Sequence, residues 1–296
     1  MFPLCLLVTF LSVLLNIEST PLSPRGAEST DCSIGSGQLA GYIGDPIHEA
    51  SGLAVSRMNP GVLYTHPDSQ HTNHVWAIAY GAQVLAEVVL EGCTNHDWED
   101  IAVTGSHVYV ADTGNNQHNR YNLRILRFPE PVIDQTSYHQ VRIPRSSIEY
   151  LDFTYPGYNH DCEAMAVDPI THDIFLFTKD WTEYKSEVYR YPMSKREAGK
   201  SLTLEYITTL PMKYVTGADI SPTGNTLAIT NLAEGYSYTK TAGVSWGDFL
   251  KGYGSYFCTL RINYLPQMEA IAVTEDGYWS TTENCDYCPI WYYPRY

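Results

Sequence analysis

Acidic side chains recur at the start of short apolar segments that are spread along the chain. Glu99, Glu163 and Glu269 each open a segment of the form Glu-x-x-Ala-Val, Asp100 follows the first of them, and Asp219 lies in a related segment. Carboxylate oxygens are the ligands that Ca²⁺ prefers, and the ion takes about 6–8 oxygens. If these segments converge, the five residues predict a Ca²⁺ site. The alternative is structural, with the carboxylates capping strand ends or accepting hydrogen bonds from neighbouring backbone amides.

Histidines show a second regularity. His48, His96 and His160 each lie three residues before the start of such a segment, and a carboxylate follows each of them closely. An imidazole with a pKa near ~6.5 suits general base catalysis, which makes His160 and His96 the candidate catalytic residues of an enzyme. Three imidazoles would also bind Zn²⁺ if all of them came within about 2.1 Å of the ion. Consecutive repeats spread the histidines along one arc instead, and that favours solvent-exposed loop histidines.

The elements that position these side chains form a repeat. Each unit has a short apolar strand, a turn rich in Pro, Gly, Asn or Asp, a second strand and a polar end, which is typical of a β-hairpin. The units start at Ser51, Glu99, Glu163, Thr216 and Glu269. A period of about 50 residues, with about four strands in each unit, is typical of a propeller blade. We therefore expect an all-β propeller of four-stranded blades.

The two ends of the chain indicate how the ring closes. The last repeat, which starts at Glu269, is short, and residues 38–43 read as a strand without a hairpin of its own. The simplest arrangement has this N-terminal strand complete the last blade, because closure removes exposed sheet edges. Five repeats predict five blades. A sixth blade would need a degenerate repeat within residues 130–160 or 235–262.

Some of the repeat sequences are specific enough to carry a resemblance. Asp97-Trp-Glu-Asp-Ile-Ala102, Asp161-Cys-Glu-Ala-Met-Ala-Val-Asp-Pro169 and Thr216-Gly-Ala-Asp219 resemble those of uncharacterised secreted β-propellers of bacteria and invertebrates. The resemblance spans roughly residues 40–290. It implies an extracellular propeller and brings no assured activity with it. The chain departs from that pattern in its cysteines and in a segment rich in Tyr and Gly at residues 235–257.

The N-terminus is typical of a secreted protein. An apolar run extends from Leu4 to Leu15 and is followed by a polar stretch that contains proline. The run is too short to cross a hydrocarbon core of about 30 Å as a helix, but its length suits a signal peptide. We expect residues 1–20 to be the signal peptide, residues 21–32 a linker and residues 33–296 the propeller domain.

The cysteines fit this compartment. The chain has 7 of them, and Cys5 would leave with the signal peptide. An even number then remains, which in an oxidising compartment predicts up to three disulfides. Cys285 and Cys288 have a CxxC spacing, for which a structural disulfide is favoured over a zinc site or a redox pair. Cys32 lies beside the N-terminal strand, so a bond from Cys32 to Cys285 or Cys288 is a further hypothesis.

The net charge of the chain excludes some classes of binding partner. The formal net charge is −15, and no basic run is present. Binding to nucleic acid or to an anionic membrane is therefore not expected, since both need Lys and Arg. No catalytic sequence signature is present, so we favour a secreted, non-catalytic binding or matrix protein. Its expected partners are calcium, a matrix polysaccharide, a mineral surface or another extracellular ligand. The alternative is a metal-dependent hydrolase or lyase with its site at the central channel.

Overall fold

A computed structural model describes most of the chain. The described residues are 34–68, 72–253, 257–260, 262–263, 267–283 and 285–295. The predicted signal peptide, the predicted linker and Cys32 lie outside them.

The strands group into five sheets, which are the blades. Strand β1 (Gln38–Ile43) comes first, and blade 1 follows with β2 (Ala50–Val55), β3 (Val62–Pro67), β4 (His74–Ala79) and β5 (Val84–Leu90). Blade 2 contains β6 (Trp98–Thr104), β7 (His107–Asp112), β8 (Arg124–Pro129) and, after β9 (His139–Ile143), β10 (Glu149–Thr154). Blade 3 contains β11 (Cys162–Val167), β12 (Ile174–Thr178), β13 (Ser186–Tyr191) and, after β14 (Leu202–Thr203), β15 (Glu205–Leu210).

The remaining strands form blades 4 and 5. Blade 4 contains β16 (Val215–Ile220), β17 (Thr226–Asn231), β18 (Gly235–Thr239) and β19 (Cys258–Leu260), with helix α1 (Trp246–Tyr253) between the last two. Blade 5 contains β20 (Met268–Val273), β21 (Gly277–Thr282), β22 (Cys288–Pro294) and β1. Short 3₁₀ turns lie at Arg145–Ser147 and Met193–Lys195.

The prediction of five four-stranded blades is confirmed. The two segments considered for a sixth blade extend existing blades instead. Strand β9 pairs in parallel with β5 at the outer edge of blade 1, and β10 belongs to blade 2. Residues 235–260 supply β18, α1 and β19 to blade 4. Strand β14 adds in the same way to the edge of blade 2, in parallel with β10.

Closure of the ring by the N-terminal strand is also confirmed. Strand β1 pairs antiparallel with β22, in a register that joins Gln38 to Tyr292 and Ile43 to Cys288. Blade 5 therefore consists of three strands from the C-terminal end of the chain and one from the N-terminal end. This pairing satisfies the outer backbone groups of β22, and β1 becomes the outermost strand of the blade.

The core consists of layers between adjacent blades. Tyr64 of blade 1 packs in one cluster with Trp98 and Phe128 of blade 2. Equivalent clusters fill the spaces between blades 2 and 3, 3 and 4, 4 and 5, and 5 and 1. Every residue of the innermost strands β2, β6, β11, β16 and β20 is buried. Strands buried on both faces are rich in consecutive apolar residues rather than alternating, which explains the repeated Ala-Val segments.

The cysteines confirm one prediction and overturn another. Cys285 and Cys288 form a disulfide with each other. The predicted bond from Cys32 to either of them is therefore wrong, because each cysteine forms only one disulfide. Cys258 is disulfide-bonded as well. Cys93 and Cys162 are buried free thiols that lie in two different interblade clusters. With these two thiols free, the six cysteines that follow Cys5 do not form three disulfides.

Shortening the buried end of β1 tests the closure. Ile43 is only 2% exposed, whereas Leu39 of the same strand is 44% exposed. We expect Ile43→Ala to lower the free energy of unfolding by about 2–5 kcal/mol, because the substitution leaves a cavity between blades 5 and 1. Leu39→Ala is the matched control and should change it by less than about 1 kcal/mol. Urea denaturation measures both, and equal losses for the two variants would contradict this role of β1.

Candidate cation site at one end of the channel

Each innermost strand carries a β-bulge at the residue where its repeat starts. In blade 2, Trp98 pairs with Asp112 and Asp100 pairs with Ala111, so that Glu99 is the extra residue. The same break in register leaves an extra residue in the other four blades, at Ser51, Glu163, Thr216 and Glu269. A bulge bends the strand and re-aims the side chain of its extra residue. The repeat therefore presents equivalent side chains at one end of the ring.

The hydroxyl groups among these five side chains link neighbouring blades. Ser51 Oγ donates a hydrogen bond of 2.8 Å to the backbone oxygen of Glu99. Thr216 Oγ1 donates one of 2.8 Å to the backbone oxygen of Met268. Two of the five positions are thereby used to connect innermost strands. The carboxylates at the other three positions are left for other interactions.

The carboxylate of Asp100 accepts hydrogen bonds from backbone amides. Its Oδ1 accepts a hydrogen bond of 2.8 Å from the amide of Ile101, and its Oδ2 accepts bonds of 2.8 and 3.2 Å from the amides of Met165 and Ala218. The carboxyl group of blade 2 therefore reaches the innermost strands of blades 3 and 4. Burial raises the pKa of Asp100 well above its usual range, and the three amides oppose that rise.

Asp219 is placed in the same way. Its two oxygens accept hydrogen bonds of 2.8 and 2.7 Å from the amides of Ile220 and Val273, the latter in blade 5. Burial raises its pKa to about 6. Asp219 and Asp100 thus occupy the structural role that the sequence left open as the alternative. Neither belongs to the carboxylate groups described next.

Two groups of carboxylates converge at the bulged end, and Glu99 belongs to both. One oxygen each of Asp68, Asp97 and Glu99 lies within 4.8 Å of the others, and the same holds for Glu99, Asp161 and Glu163. Glu99, Asp161 and Glu163 are buried, whereas Asp68 and Asp97 are partly exposed. The first group therefore meets solvent, and the second lies deeper in the protein.

The second group already has a cation. Lys179 Nζ lies 2.8 Å from Glu163 Oε2, and both side chains are only 7% exposed. The surrounding carboxylates raise the pKa of Lys179 against the effect of burial, so it stays charged. Glu269, the fifth residue of the repeat position, lies close to Glu283. Burial and the charges of Glu163 and Glu283 raise the pKa of Glu269 well above its usual range, and Lys179 opposes that shift.

The negative charges of the first group, Asp68, Asp97 and Glu99, are poorly neutralised by nearby cations. Burial, together with the charges of Glu283, Asp97 and other carboxylates, raises the pKa of Asp68 to about 8. Burial and neighbouring carboxylates also raise the pKa of Glu99 well above its usual range, and burial raises that of Asp97. Asp68 Oδ1 is buried without a hydrogen-bond partner among the described residues. A cation that binds between these carboxylates would stabilise their charged forms.

Gly114 makes room for the first group. A Cβ atom at this position would lie 2.0 Å from Glu99 Oε1 and 2.5 Å from Asp97 Oδ2. The absence of a side chain at Gly114 is therefore what allows both carboxylates to occupy the same space. A glycine at such a close approach is expected where the backbone borders a site.

The three repeated histidines do not come together. His48 Nε2 lies 3.0 Å from Asp45, His96 Nδ1 lies 3.1 Å from Asp112 Oδ2, and His160 Nε2 lies 3.0 Å from the hydroxyl of Tyr189. Each imidazole thus has its own partner. In the part of the chain that the structure describes, no group of three close ligand atoms contains a histidine.

His160 lies in an aromatic environment. Its ring packs against those of Tyr155, Tyr158 and Tyr189, with centroids 4.9, 4.3 and 5.2 Å away. Burial lowers its pKa, and the nearby carboxylate of Glu187 opposes that shift. Burial therefore favours the neutral form of this imidazole.

Sequence reasoning missed Asp97 and Asp161 as candidate ligands. A signal for both was present, because each lies two residues before the start of a repeat, directly after a histidine. Asp68 ends the second strand of the first repeat. Strand alternation does not predict the orientation of these residues, since all three lie outside or at the ends of the paired strands.

Comparisons with known proteins add little beyond the fold. No family model and no curated protein sequence matches the chain. A structure of a nidogen/laminin complex has 11% identity over 79% of this chain and 72% of that one, with a TM-score of 0.41. A gluconolactonase from Xanthomonas campestris has 8% identity over 87% and 89% of the two chains, with a TM-score of 0.47. A putative gluconolactonase has 11% identity over 86% and 77%, with a TM-score of 0.44.

Within the described ranges, no helix is long and apolar enough to cross a bilayer.

The raised pKa values predict how stability depends on pH. Between the ordinary pKa of 3.8 and about 8, the native Asp68 holds more protons than the unfolded one, so stability falls as pH rises. His66 acts in the opposite direction below pH 6.5, because burial lowers its pKa to about 4. With a chelator present, we therefore expect the melting temperature to fall between pH 6.5 and 8.

Calorimetric melting across this range measures the effect. Asp68→Asn removes the titrating group and should flatten the decline, whereas Asp134→Asn, an exposed control, should leave it unchanged. A melting temperature that is constant or that rises from pH 6.5 to 8 would contradict the electrostatic account of the site.

Proposed function

We propose that this chain is a secreted, non-catalytic propeller that binds Ca²⁺ through Asp68, Asp97 and Glu99 and acts as an extracellular binding or matrix protein. The observation that carries the proposal is the convergence of these three carboxylates within 4.8 Å of one another. The predicted signal peptide and the Cys285–Cys288 disulfide support an oxidising, extracellular compartment.

The chemistry of the group favours Ca²⁺. All three ligands are hard carboxylate oxygens, and no imidazole or thiol joins them within the described residues. Zn²⁺ and softer ions prefer nitrogen and sulfur ligands, whereas Ca²⁺ takes about 6–8 oxygens in an adaptable geometry. The partial exposure of Asp68 and Asp97 leaves room for water or for oxygens of a partner to complete the shell.

Charge compensation favours the first group over the second. Lys179 already neutralises part of the group around Glu163. Arg120, the cation whose charge opposes the rise in the pKa of Asp97, is itself bound to Asp112 at 2.7 Å. A divalent ion at the first group would remove the repulsion that raises the pKa of Asp68 and Glu99.

The proposed partners follow from the open side of this site. A Ca²⁺ ion that keeps exchangeable ligands can bridge protein carboxylates to anionic groups of a polysaccharide or to a mineral surface. The formal net charge of −15 makes direct attraction to such surfaces unfavourable. Association through bound calcium is therefore the favoured route.

Calorimetric titration with Ca²⁺ tests the proposal. We expect Glu99→Gln and Asp68→Asn each to weaken binding at least tenfold, because each removes a charged ligand. Gly114→Ala should weaken it as well, since its Cβ would displace two ligands without removing any. At a Ca²⁺ concentration 100 times the Kd, the wild type should gain about 2.7 kcal/mol of stability.

Glu91→Gln is the matched control, because it removes one negative charge from an exposed ion pair with Arg142. It should bind Ca²⁺ like the wild type. Equal affinities for the Glu99→Gln and Glu91→Gln variants would overturn the proposed site.

One observation favours the alternative of a metal-dependent hydrolase or lyase. His96 is adjacent to the candidate ligand Asp97, and its Nδ1 lies 3.1 Å from the buried carboxylate of Asp112. A carboxylate in this position orients an imidazole as a general base. In that reading His96, or His160 on the neighbouring blade, would activate water beside the cation.

Turnover distinguishes the two proposals. With Ca²⁺ added, we expect no hydrolysis of lactones, aryl esters or phosphate esters above the rate of the buffer. Activity that is lost in both His96→Gln and Glu99→Gln, with folding intact, would establish the enzyme instead.

A further inference from the structure

A pocket lies on blade 3, beside the deeper carboxylate group. It has a volume of about 160 Å³, and Asp161, Lys179, Trp181 and Tyr158 are among the residues that line it. Pockets for drug-sized ligands measure roughly 300–1,000 Å³, so this one fits a group the size of a single ring. Asp161 and Lys179 connect it to the channel end, because both also contact the group around Glu163.

Exposed aromatic side chains form the rim of the pocket. Tyr158 is 64% exposed and Trp181 is 52% exposed. Both have one ring face supported from within: Tyr158 packs on His160 at 4.3 Å, and Trp181 packs on Tyr214 at 5.1 Å. Two exposed aromatic rings at the rim of one pocket offer a stacking surface to a ligand that enters it.

The loop that carries Trp181 contains a set of internal hydrogen bonds. Asp180 Oδ1 accepts hydrogen bonds of 2.8 and 2.9 Å from the amide and hydroxyl of Thr182, and one of 2.9 Å from the amide of Glu183. These bonds form an Asx turn. Binding of a ligand would therefore cost little conformational entropy in the loop, since Trp181 is already positioned at the rim.

The floor of the pocket is polar and carries charges of both signs. It is lined by two ammonium groups, those of Lys179 and Lys185, and by three carboxylates, those of Asp161, Asp180 and Glu187. Asp161 is only 1% exposed, its Oδ1 accepts a hydrogen bond of 2.7 Å from the amide of Asn115, and its Oδ2 is buried without a partner among the described residues. A buried carboxylate oxygen without a donor is costly, so a ligand that donates a hydrogen bond there is favoured.

We propose that this pocket binds one neutral sugar ring, with the apolar face of the ring on Trp181 or Tyr158 and its hydroxyls on the charged floor. A hydroxyl both donates and accepts hydrogen bonds, which matches a floor that offers carboxylates as acceptors and ammonium groups as donors. An anionic sugar would meet Asp161 and Glu187, and a cationic ligand would meet Lys179 and Lys185. The inference goes beyond the proposed cation site, because it assigns a second site whose ligand is a neutral saccharide.

Saturation-transfer NMR with methyl glucoside, methyl galactoside and methyl N-acetylglucosaminide tests the inference on the full mature chain. We expect at least one of them to bind and to change the fluorescence of tryptophan. Trp181→Ala should weaken binding about tenfold or more, since it removes the stacking surface, and Trp181→Phe should retain part of it. Tyr121→Ala is the control, because Tyr121 is 85% exposed and does not line this pocket.

Ca²⁺ titration of the same variants separates this inference from the proposed cation site. Trp181→Ala should bind Ca²⁺ like the wild type. If Ca²⁺ binds but none of the three glycosides does, or if only a sulfated or uronic acid glycoside binds, the sugar pocket is refuted and the cation site stands. Glycoside binding that Trp181→Ala and Tyr121→Ala weaken equally would also refute it. Glycoside binding without Ca²⁺ binding would leave the sugar pocket and remove the cation site.

Discussion

The axis of a five-bladed ring is so narrow that polar groups on the innermost strands have to satisfy one another across it. Asp100 is the clearest case, because its carboxyl group accepts backbone amides from two other blades, at Met165 and Ala218. Asp219 repeats the arrangement toward Val273. A buried amide without an acceptor costs about 1–3 kcal/mol, so these bonds fix the angular positions of the blades. The rest of the structure depends on that fixed ring.

The same narrow geometry crowds the carboxylates at the bulged end. A bulge in each innermost strand turns the repeat-start side chain away from the ladder, and three of these side chains are glutamates. Burial then raises the free energy of their charged forms, which explains why the pKa of Glu99 and that of Glu269 are high. Lys179 relieves this for Glu163. The group of Asp68, Asp97 and Glu99 has no such internal cation at hydrogen-bond distance among the described residues, and this difference is the physical basis of the proposed calcium site.

Much of the fold was predictable because its signals are local. Strand and turn composition within each repeat, the period of about 50 residues and the unpaired strand at residues 38–43 together indicated five blades and their closure. The CxxC disulfide was equally local. The pairing of the other cysteines could not be predicted in this way, since a sequence with several cysteines allows many pairings.

The site was only partly predictable. Glu99 and Asp100 are adjacent in the sequence, yet one carboxylate joins the candidate cation group and the other binds backbone amides. That division depends on the bulge, which the sequence does not encode in any visible residue type. Asp68 and Asp97 come from a strand end and from a loop, and the folded ring alone brings them to Glu99. The repeated sequence segments predicted the end of the channel at which carboxylates converge, but they did not predict which carboxylate oxygens come together there.

The most direct test of the central claim is a crystal structure of the mature chain grown with Ca²⁺, with anomalous diffraction used to locate the ion. The account predicts an anomalous peak between Asp68, Asp97 and Glu99, with carboxylate oxygens at about 2.3–2.6 Å. A map that shows these carboxylates ordered and no ion among them at saturating Ca²⁺ would contradict it.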